Sequence, residues 1–309
     1  MEVLVKTAGL SREEWLRWRT KGIGGSDVSI IAGMNPYKSV YQLWQEKRGL
    51  LVLEEADNEF THFGTVLEPV VKREFMLRTG LKVRARKMIL RSSEYPFMLA
   101  DLDGVIYENG RMCIFEAKTA SAYKQKVWEE GVPGEYMLQI QHYMAVTGAE
   151  KTYIAALVGG NHFFCHEVPR DEEMIGKITA MEAYFWEDYV LAGKEPPPDG
   201  SKATASYLNK KYGISNGKSI ELPGEALLVF QRYDEITGKL EELKAQKEAA
   251  CNELKYLLKE NEEGTAGERR VTWKEVKTTA FDRKRLKEEE PEIYGKYVSS
   301  GSCRRLSVA

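Results

Sequence analysis

A tight turn between two stretches of alternating residues, 100–108 and 111–118, constrains this chain more than any other feature. Asn109-Gly110 is the strongest short signal for a two-residue β-turn, and such a turn pairs Glu108 with Arg111. Pairing backwards from the turn predicts four opposed pairs: Tyr107 with Met112, Val105 with Ile114, Asp103 with Glu116, and Asp101 with Lys118. Because side chains two residues apart share a face, Glu116 and Lys118 are expected to project together beside Asp103.

Two carboxylates directly opposite each other on a hairpin repel, because their Cβ atoms are only about 5 Å apart. A cation between them would relieve that repulsion. Oxygen ligands from Asp103 and Glu116, with the backbone carbonyl of Ala117, suit Mg²⁺ or Mn²⁺. Lys118 is placed to orient or help deprotonate a water. The hairpin thus predicts metal-assisted hydrolysis of a phosphodiester. The alternative is that Asp103 and Glu116 are solvated charges at an exposed end of the hairpin. A bulge at Gly104 would shift the register and change which residues pair.

Around the hairpin, helical and strand-like patterns alternate, which predicts an α/β core with helices flanking a mixed β-sheet. Ser11 and Glu14 spell a capping box, and the glycine cluster at 22–25 leads into a helix capped by Ser26 or Asp27. That helix start offers backbone N–H groups to an anion. The other expected elements are helices over 39–48, 59–79, 134–146 and up to Leu191, a β-meander over 81–91, 97–107 and 111–119, and strands over 152–158 and 162–168.

Three consecutive prolines, Pro196 to Pro198, predict a boundary between a core at 1–195 and an extension at 196–309, because proline continues neither a helix nor a central strand. Apolar residues then step by three and four, which predicts a long amphipathic helix at about 224–260, roughly 50 Å long. That helix either packs on its own domain or joins subunits. Short strands are expected at 269–276 and 302–308.

Composition limits the compartment and the partners. The chain has no run of about 18 apolar residues and no signal-peptide pattern, so it is expected in the cytoplasm with no membrane segment. Its four cysteines lie far apart without a C-x-x-C spacing, which predicts neither a disulfide framework nor a zinc site. The net charge of −2 excludes a protein that coats nucleic acid by bulk charge, so DNA contact would need local basic patches.

Six motifs follow one another along residues 15–190. They are Arg19-x-x-Gly-Ile-Gly-Gly-Ser-Asp27, Asn35-Pro-Tyr37, Gly64-x-x-x-Glu68-Pro69, Asp103-Gly104, Glu116-Ala-Lys118 and Tyr136-x-x-Gln139-x-Gln141. In this order they resemble the YqaJ-like viral recombinase family, which is related to lambda exonuclease within the PD-(D/E)XK nuclease superfamily. The resemblance implies a PD-(D/E)XK nuclease core, an α/β fold.

The resemblance also implies a function. Family members are metal-dependent 5′-to-3′ exonucleases that degrade linear double-stranded DNA to 5′-mononucleotides in phage-type recombination. By position, Asp103 and Glu116 would be metal ligands, Lys118 the catalytic lysine, Glu68 the helical acid and Gln139 the glutamine behind the site. Arg19 and Ser26 match positions that hold the DNA 5′-phosphate.

Two positions depart from the pattern. Leu102 stands where the superfamily has a proline. Asp101 stands where lambda exonuclease has a serine in its phosphate pocket, and a carboxylate there would repel a phosphate unless Lys118 or a metal neutralised it.

The partners implied are double-stranded DNA ends, a single-strand annealing protein and two further copies of the chain in a homotrimer, in a bacterial host cell with a phage or prophage as the source. Two other functions stay open at this point. One is a structure-specific or restriction-like endonuclease on the same core, and the other is a non-catalytic DNA-end-binding module.

Overall fold

The computed structural model describes residues 1–51, 59–299, 301 and 303–308. They form two compact units, Met1–Tyr212 and Gly213–Ala309. The division therefore lies beyond the boundary predicted between 195 and 196. It does so because a helix after the prolines belongs to the first unit, where Lys211 Nζ donates to the Tyr41 hydroxyl and the Tyr41 and Tyr207 rings lie 5.2 Å apart.

The first unit alternates helices and strands, as expected for an α/β core. Its strands are β1 (Glu2–Lys6), β2 (Ile23–Gly24), β3 (Met88–Arg91), β4 (Met98–Asp101), β5 (Gly104–Glu108), β6 (Arg111–Ala120), β7 (Lys151–Val158) and β8 (His162–Pro169). Its helices are α1 (Arg12–Arg19), α2 (Gly25–Ile31), α3 (Val40–Lys47), α4 (Glu59–Thr79), α5 (Gln125–Glu130), α6 (Gly134–Thr147), α7 (Glu172–Tyr184, continued by a π-helical turn over Phe185–Leu191) and α8 (Lys202–Lys211).

The strands form two mixed sheets, in the orders β1-β3-β4-β2 and β5-β6-β7-β8. In each sheet one parallel pair joins strands distant in sequence, β2 with β4 and β6 with β7, while the other pairs are antiparallel. Helix α6 packs on both sheets. The predicted class, α/β with mixed sheet and flanking helices, is confirmed.

The hairpin register is confirmed along β5, where Val105 pairs with Ile114 and Glu108 with Arg111. Asn109 and Gly110 both have positive φ, 50° and 81°, as a type I′ turn requires. The ladder ends at Gly104, however, so Asp103 and Glu116 are not ladder partners as predicted. Beside this end of the ladder, Arg84 forms an isolated antiparallel bridge with Val105 on the other edge of β5. Val83 packs so close to Gly104 that a Cβ on Gly104 would lie 2.4 Å from Val83 Cγ1.

The predicted β-meander is wrong upstream of Gly104. The chain leaves the first sheet after Asp101 and enters the second at Gly104, so the stretch 97–107 is two strands in two sheets. Asp101 consequently pairs with Ile89 on β3, and the predicted Asp101–Lys118 pair does not form. The switch at Leu102-Asp103 places Asp103 in the connection between the sheets.

A buried His142–Glu182 pair ties three elements around this connection. His142 Nδ1, on α6, lies 2.7 Å from Glu182 Oε1 on α7, and Nε2 lies 2.8 Å from the Leu99 carbonyl of β4. Both side chains are fully buried. Burial by itself lowers the pKa of His142, but the Glu182 carboxylate and the Leu99 carbonyl outweigh it, so the pKa is raised. When protonated, the ring donates from Nδ1 to Glu182 and from Nε2 to Leu99.

The second unit contains α9 (Ala226–Leu258), a hairpin of β9 (Glu263–Ala266) and β10 (Arg269–Thr272), and helices α10 (Arg283–Glu289) and α11 (Pro291–Tyr297). The long helix predicted at 224–260 is confirmed. The strand predicted at 269–276 is shorter, and its partner is β9. Residues 303–308 form no strand, and Ser302 lies outside the described residues. Nowhere in the described chain is a helix long and apolar enough to cross a membrane.

We expect replacement of His142 by glutamine to cost about 3 kcal/mol of unfolding free energy or more, because it breaks a buried charged pair. The raised folded-state pKa means that the charged ring stabilises the fold fully below its ordinary pKa of 6.5, and that this contribution is lost as the pH rises through the folded-state value. Urea denaturation of the wild type and of His142→Gln, from below pH 6.5 to above the folded-state pKa, measures the effect. The difference in unfolding free energy between the two proteins should become smaller as the pH rises. The exposed His162→Gln variant is the control, and a difference that grew with pH would contradict the assignment.

Candidate active site

A cleft of about 1170 Å³ opens between α1, the start of α2, α4, β6 and α6. The predicted site residues all line it. They are Arg19, Ser26, Glu68, Asp103, Glu116, Ala117, Lys118 and Gln139. The fold therefore gathers residues 120 positions apart in sequence around one space.

Asp103 is held by two hydrogen bonds, one to its side chain and one to its own carbonyl. Its Oδ2 accepts from the Ala117 amide at 2.8 Å, and its own carbonyl accepts from Lys72 Nζ of α4 at 2.7 Å. The carboxylate takes over the hydrogen bond that the next ladder pair would have made. Asp103 thereby stays beside β6 although it is not part of the hairpin.

Glu116 is the buried acid of the site, with a side chain only 3% exposed. Its Oε1 accepts from Lys118 Nζ at 2.6 Å and from Gln139 Nε2 at 2.7 Å. Its Oε2 is buried and has no hydrogen-bond partner among the described residues. Burial, reinforced by the charge of Asp103, raises the pKa of Glu116 to about 8.

Lys118 and Gln139 form one polar cluster with Glu116. Lys118 Nζ also donates to Gln139 Oε1 at 3.1 Å and lies 5.0 Å from the centre of the Tyr136 ring. Burial alone would lower the pKa of Lys118, but Glu116 and Asp103 outweigh it, so the pKa is raised and the amine is a cation at neutral pH. Gln139 Nε2 also donates to the hydroxyl of Tyr143 at 3.2 Å, on the same helix. Together with its bond to Glu116 on β6, this contact fixes the orientation of the amide.

Glu68 faces the cleft from α4, and its side chain is 36% exposed. Burial and then the charge of Asp103 raise its pKa, although Lys72 lies 3.5 Å away. Lys72 contacts both Glu68 and Asp103, so α4 brings an acid and a cation to the edge of the buried cluster.

The residues present fit a divalent cation with oxygen ligands. Two carboxylates lie close enough for Asp103 to raise the pKa of Glu116, and one buried carboxylate oxygen has no partner in the described protein. In the described ranges no three Asp, Glu, His or Cys side chains converge on one metal position. The fitting donor set is thus Asp103, Glu116 and the Ala117 carbonyl, with water completing the shell, a composition that suits Mg²⁺ or Mn²⁺.

Arg19 and Ser26 meet at the mouth of the glycine loop, where Arg19 Nη2 donates to Ser26 Oγ at 2.6 Å. The helix begins at Gly25 and its N-cap is Gly24, two residues before Ser26 and three before Asp27, the predicted caps. Asp27 Oδ2 accepts from the Gly24 amide at 2.9 Å, which closes the first turn. A Cβ on Gly25 would lie 2.6 Å from the Tyr143 ring, so only glycine permits this approach to α6.

A buried ion pair supports Arg19 from behind. Lys47 Nζ donates to Asp27 Oδ2 at 2.6 Å and to the Arg19 carbonyl at 2.9 Å. Burial opposes ionisation of Asp27, but Lys47 and Arg19 outweigh it and hold its pKa at about 2. The pair fixes the end of α1 against the start of α2.

Asp101 contacts α1. Its Oδ2 accepts from the Trp15 indole at 2.7 Å, and the Arg12 and Arg19 guanidinium carbons lie 4.0 and 4.8 Å from the Trp15 ring centre. Burial raises the pKa of Asp101, while Trp15 and Arg19 oppose that rise. The partners of Asp101 in the described structure are therefore the Trp15 indole, which donates a hydrogen bond, and the charges of Arg19 and Arg12.

Sequence reasoning missed three residues that line the cleft, Arg12, Trp15 and Lys72, and also Lys47, which supports Arg19. The capping box at Ser11 located α1, yet nothing in the spacing indicated that Trp15 would reach Asp101, 86 residues later. Lys72 was identifiable only as an i,i+4 partner of Glu68.

Comparison with solved structures identifies the class of fold. An alkaline exonuclease from Laribacter hongkongensis (LHK-Exo) superposes with a TM-score of 0.50 at 20% sequence identity, over 65% of this chain and 97% of that one. The first unit thus shares the fold of that exonuclease.

Comparison of sequences identifies the family. Residues 14–150 match the model of the YqaJ-like viral recombinase domain. An uncharacterized protein, YqaJ of Bacillus subtilis (strain 168), is 42% identical over 311 residues, covering 99% of this chain and 97% of its own length. The chain belongs to the YqaJ-like family.

Mg²⁺ or Mn²⁺ should stabilise the folded protein, because an ion that binds only the folded state adds about 2.7 kcal/mol at a hundredfold excess over its dissociation constant. The expected rise in the thermal unfolding midpoint is lost in Asp103→Asn and in Glu116→Gln. Glu130→Gln, which changes an exposed acid on α5, should respond as the wild type does. An equal rise in all four proteins would contradict binding at these carboxylates.

Proposed function

We propose that this chain is a metal-dependent 5′-to-3′ exonuclease that hydrolyses linear double-stranded DNA to 5′-mononucleotides. The observation that carries the proposal is the buried Glu116 carboxylate, with one oxygen unpartnered in the described protein, beside Asp103 and Lys118 in an open cleft. The YqaJ-like family and the PD-(D/E)XK fold both support a nuclease.

Asp103, Glu116 and the Ala117 carbonyl would hold Mg²⁺ or Mn²⁺, which when bound supplies positive charge for activating water and for stabilising charge on the phosphate. The chain's own contribution is to keep these oxygens in place. The Ala117 amide fixes Asp103, and Gln139 with Lys118 fixes one oxygen of Glu116.

Lys118 would then act as a cation that orients a water or a phosphate oxygen. Its raised pKa favours this role over proton abstraction in the apo cluster. Glu68 is the acid with access to solvent, and its raised pKa suits a group that accepts a proton from the attacking water. Gln139 is a positioning residue, since its amide contacts Glu116 and Lys118.

Arg19 and Ser26 would bind the 5′-phosphate of the DNA end. Arg19 is a cation that lines the cleft. Its backbone is held in place because Lys47 Nζ donates a hydrogen bond to the Arg19 carbonyl. Asp101 lies in the same part of the cleft but is occupied by Trp15, which limits its repulsion of a phosphate. A terminal phosphate held here would place a nearby phosphodiester at the carboxylates, as an exonuclease requires.

The biological setting is part of the proposal and rests on the family alone. We place the reaction in phage-type recombination in the cytoplasm of a bacterial host, where a single-strand annealing protein would take up the strand left behind. The homotrimer implied by the resemblance to lambda exonuclease belongs to the same proposal.

With Mg²⁺, the wild type is expected to degrade linear 5′-phosphorylated duplex and to leave covalently closed circles intact. Asp103→Ala, Glu116→Ala and Lys118→Ala should each lower the rate at least about 100-fold, because each removes a group that acts on the reacting phosphate. Release of acid-soluble nucleotide measures the rate. Lys177→Ala, which removes an exposed lysine of α7, should leave the rate unchanged.

The same assay separates the alternatives. Cleavage of closed circles would indicate an endonuclease on this core. Binding of DNA ends without any divalent-metal requirement, and with full function in Lys118→Ala, would indicate a non-catalytic end-binding module. Unchanged activity in all three carboxylate and lysine variants would refute the site.

Arg19→Ala should abolish a preference for 5′-phosphate over 5′-hydroxyl ends. A hydrogen bond between a guanidinium and a phosphate contributes about 1.5–3 kcal/mol, so KM for the phosphorylated end should rise roughly 10- to 100-fold. Arg17→Ala, on the exposed side of the same helix, is the matched control. A wild type without end preference, or a preference that survives in Arg19→Ala, would show that the phosphate binds elsewhere.

A further inference from the structure

Helix α9 carries a long apolar stripe that the described chain does not cover. Of its 33 residues only Leu258 is buried. Seven large apolar side chains along it are 45–73% exposed: Val229, Tyr233, Ile236, Leu240, Leu243, Leu254 and Leu257. An exposed apolar surface of this length indicates a binding surface rather than a solvated helix face.

The spacing of the stripe is that of a coiled-coil seam. From Ala226 to Leu257 its positions step alternately by three and four residues, so they stay on one side of the helix for about 50 Å. The hairpin β9–β10 does not cover it. Leu258, which packs against Gly264 of β9, projects beside the stripe at the C-terminal end of the helix.

We infer that this stripe pairs with α9 of a second copy of the chain, in antiparallel orientation. Aligning Leu240 with Leu243 of the second copy brings every stripe position opposite another stripe position. The remaining opposed pairs are Ala226 with Leu257, Val229 with Leu254, Tyr233 with Ala250, and Ile236 with Lys247. Large residues meet small ones at Tyr233, as close packing requires, and the surface is self-complementary about a two-fold axis.

The charges beside the stripe select the antiparallel orientation. In this alignment Arg232 flanks Glu253 of the second copy, twice by symmetry, and Lys239 flanks Gln246. A parallel pair in register would instead place Lys247 against its own counterpart in the seam and Lys239 beside Lys244. Like charges at those positions oppose association, so charge complementarity favours the antiparallel pair.

This association is separate from the nuclease site, all of whose residues lie in the first unit. The antiparallel pair joins two nuclease units through their extensions. It requires neither metal nor DNA, and it links two copies through their extensions in addition to any homotrimer that the nuclease units form.

Sedimentation velocity of the full chain tests the inference. Leu240→Glu combined with Leu243→Glu puts charges at the centre of the seam, and we expect it to halve the mass of the wild-type assembly and to raise its dissociation constant at least about 30-fold. Ala245→Glu, on the outer side of the same helix, should leave the mass unchanged. Far-UV circular dichroism and nuclease activity report whether the variants remain folded.

Charge reversal tests the orientation. Arg232→Glu and Glu253→Arg should each weaken the assembly, and the two together should restore it, because only the antiparallel alignment brings these residues together. Weakening without restoration would overturn that alignment. A monomeric wild type would show that the stripe is covered by the chain itself. If the Leu240/Leu243 double variant had the same mass as the wild-type assembly, other surfaces would form that assembly. Either result refutes the inference.

Discussion

The buried Glu116 carboxylate, beside Asp103 at the wall of the cleft, is the constraint on which the site depends. Burial and the neighbouring acid raise its pKa to about 8, and only one of its oxygens finds donors in the described protein. A fold does not gain stability from such an arrangement. The surrounding residues are intelligible as a scaffold for it: Lys118 and Gln139 satisfy one oxygen, and the Ala117 amide fixes the second acid.

Local sequence signals were sufficient to predict the hairpin. Asn109-Gly110 sets the turn and the register along β5, since a type I′ turn fixes which residues pair. The register could not be extended to Asp103, because a contact with Arg84 and the change of sheet at Leu102 interrupt the strand. The prediction that Asp103 and Glu116 lie together therefore rested on an incorrect ladder. Asp103 lies beside β6 because its side chain accepts a hydrogen bond from the Ala117 amide.

Long-range contacts account for what the sequence left open. The support of Arg19 by Lys47 and the occupation of Asp101 by Trp15 join residues 28 and 86 positions apart, and no periodicity encodes such distances. The same limit applies to the domain boundary, where the three prolines were legible but the packing of Lys211 on Tyr41 was not. A net charge of −2 is compatible with DNA binding because basic side chains outnumber acidic ones in the cleft. Six lysines and arginines line it, Arg12, Arg19, Lys72, Arg86, Lys87 and Lys118, against the four acids Glu68, Asp101, Asp103 and Glu116.

The central claim is that Asp103 and Glu116 share one divalent ion, and anomalous diffraction from crystals grown with Mn²⁺ tests it most directly. The account predicts an anomalous peak about 2.0–2.6 Å from a carboxylate oxygen of each residue and from the Ala117 carbonyl, with Glu116 Oε2 among the ligands. An anomalous peak elsewhere in the cleft would contradict the account. So would a crystal with bound DNA in which Glu116 contacts only Lys118 and Gln139 and no peak lies beside its carboxylate.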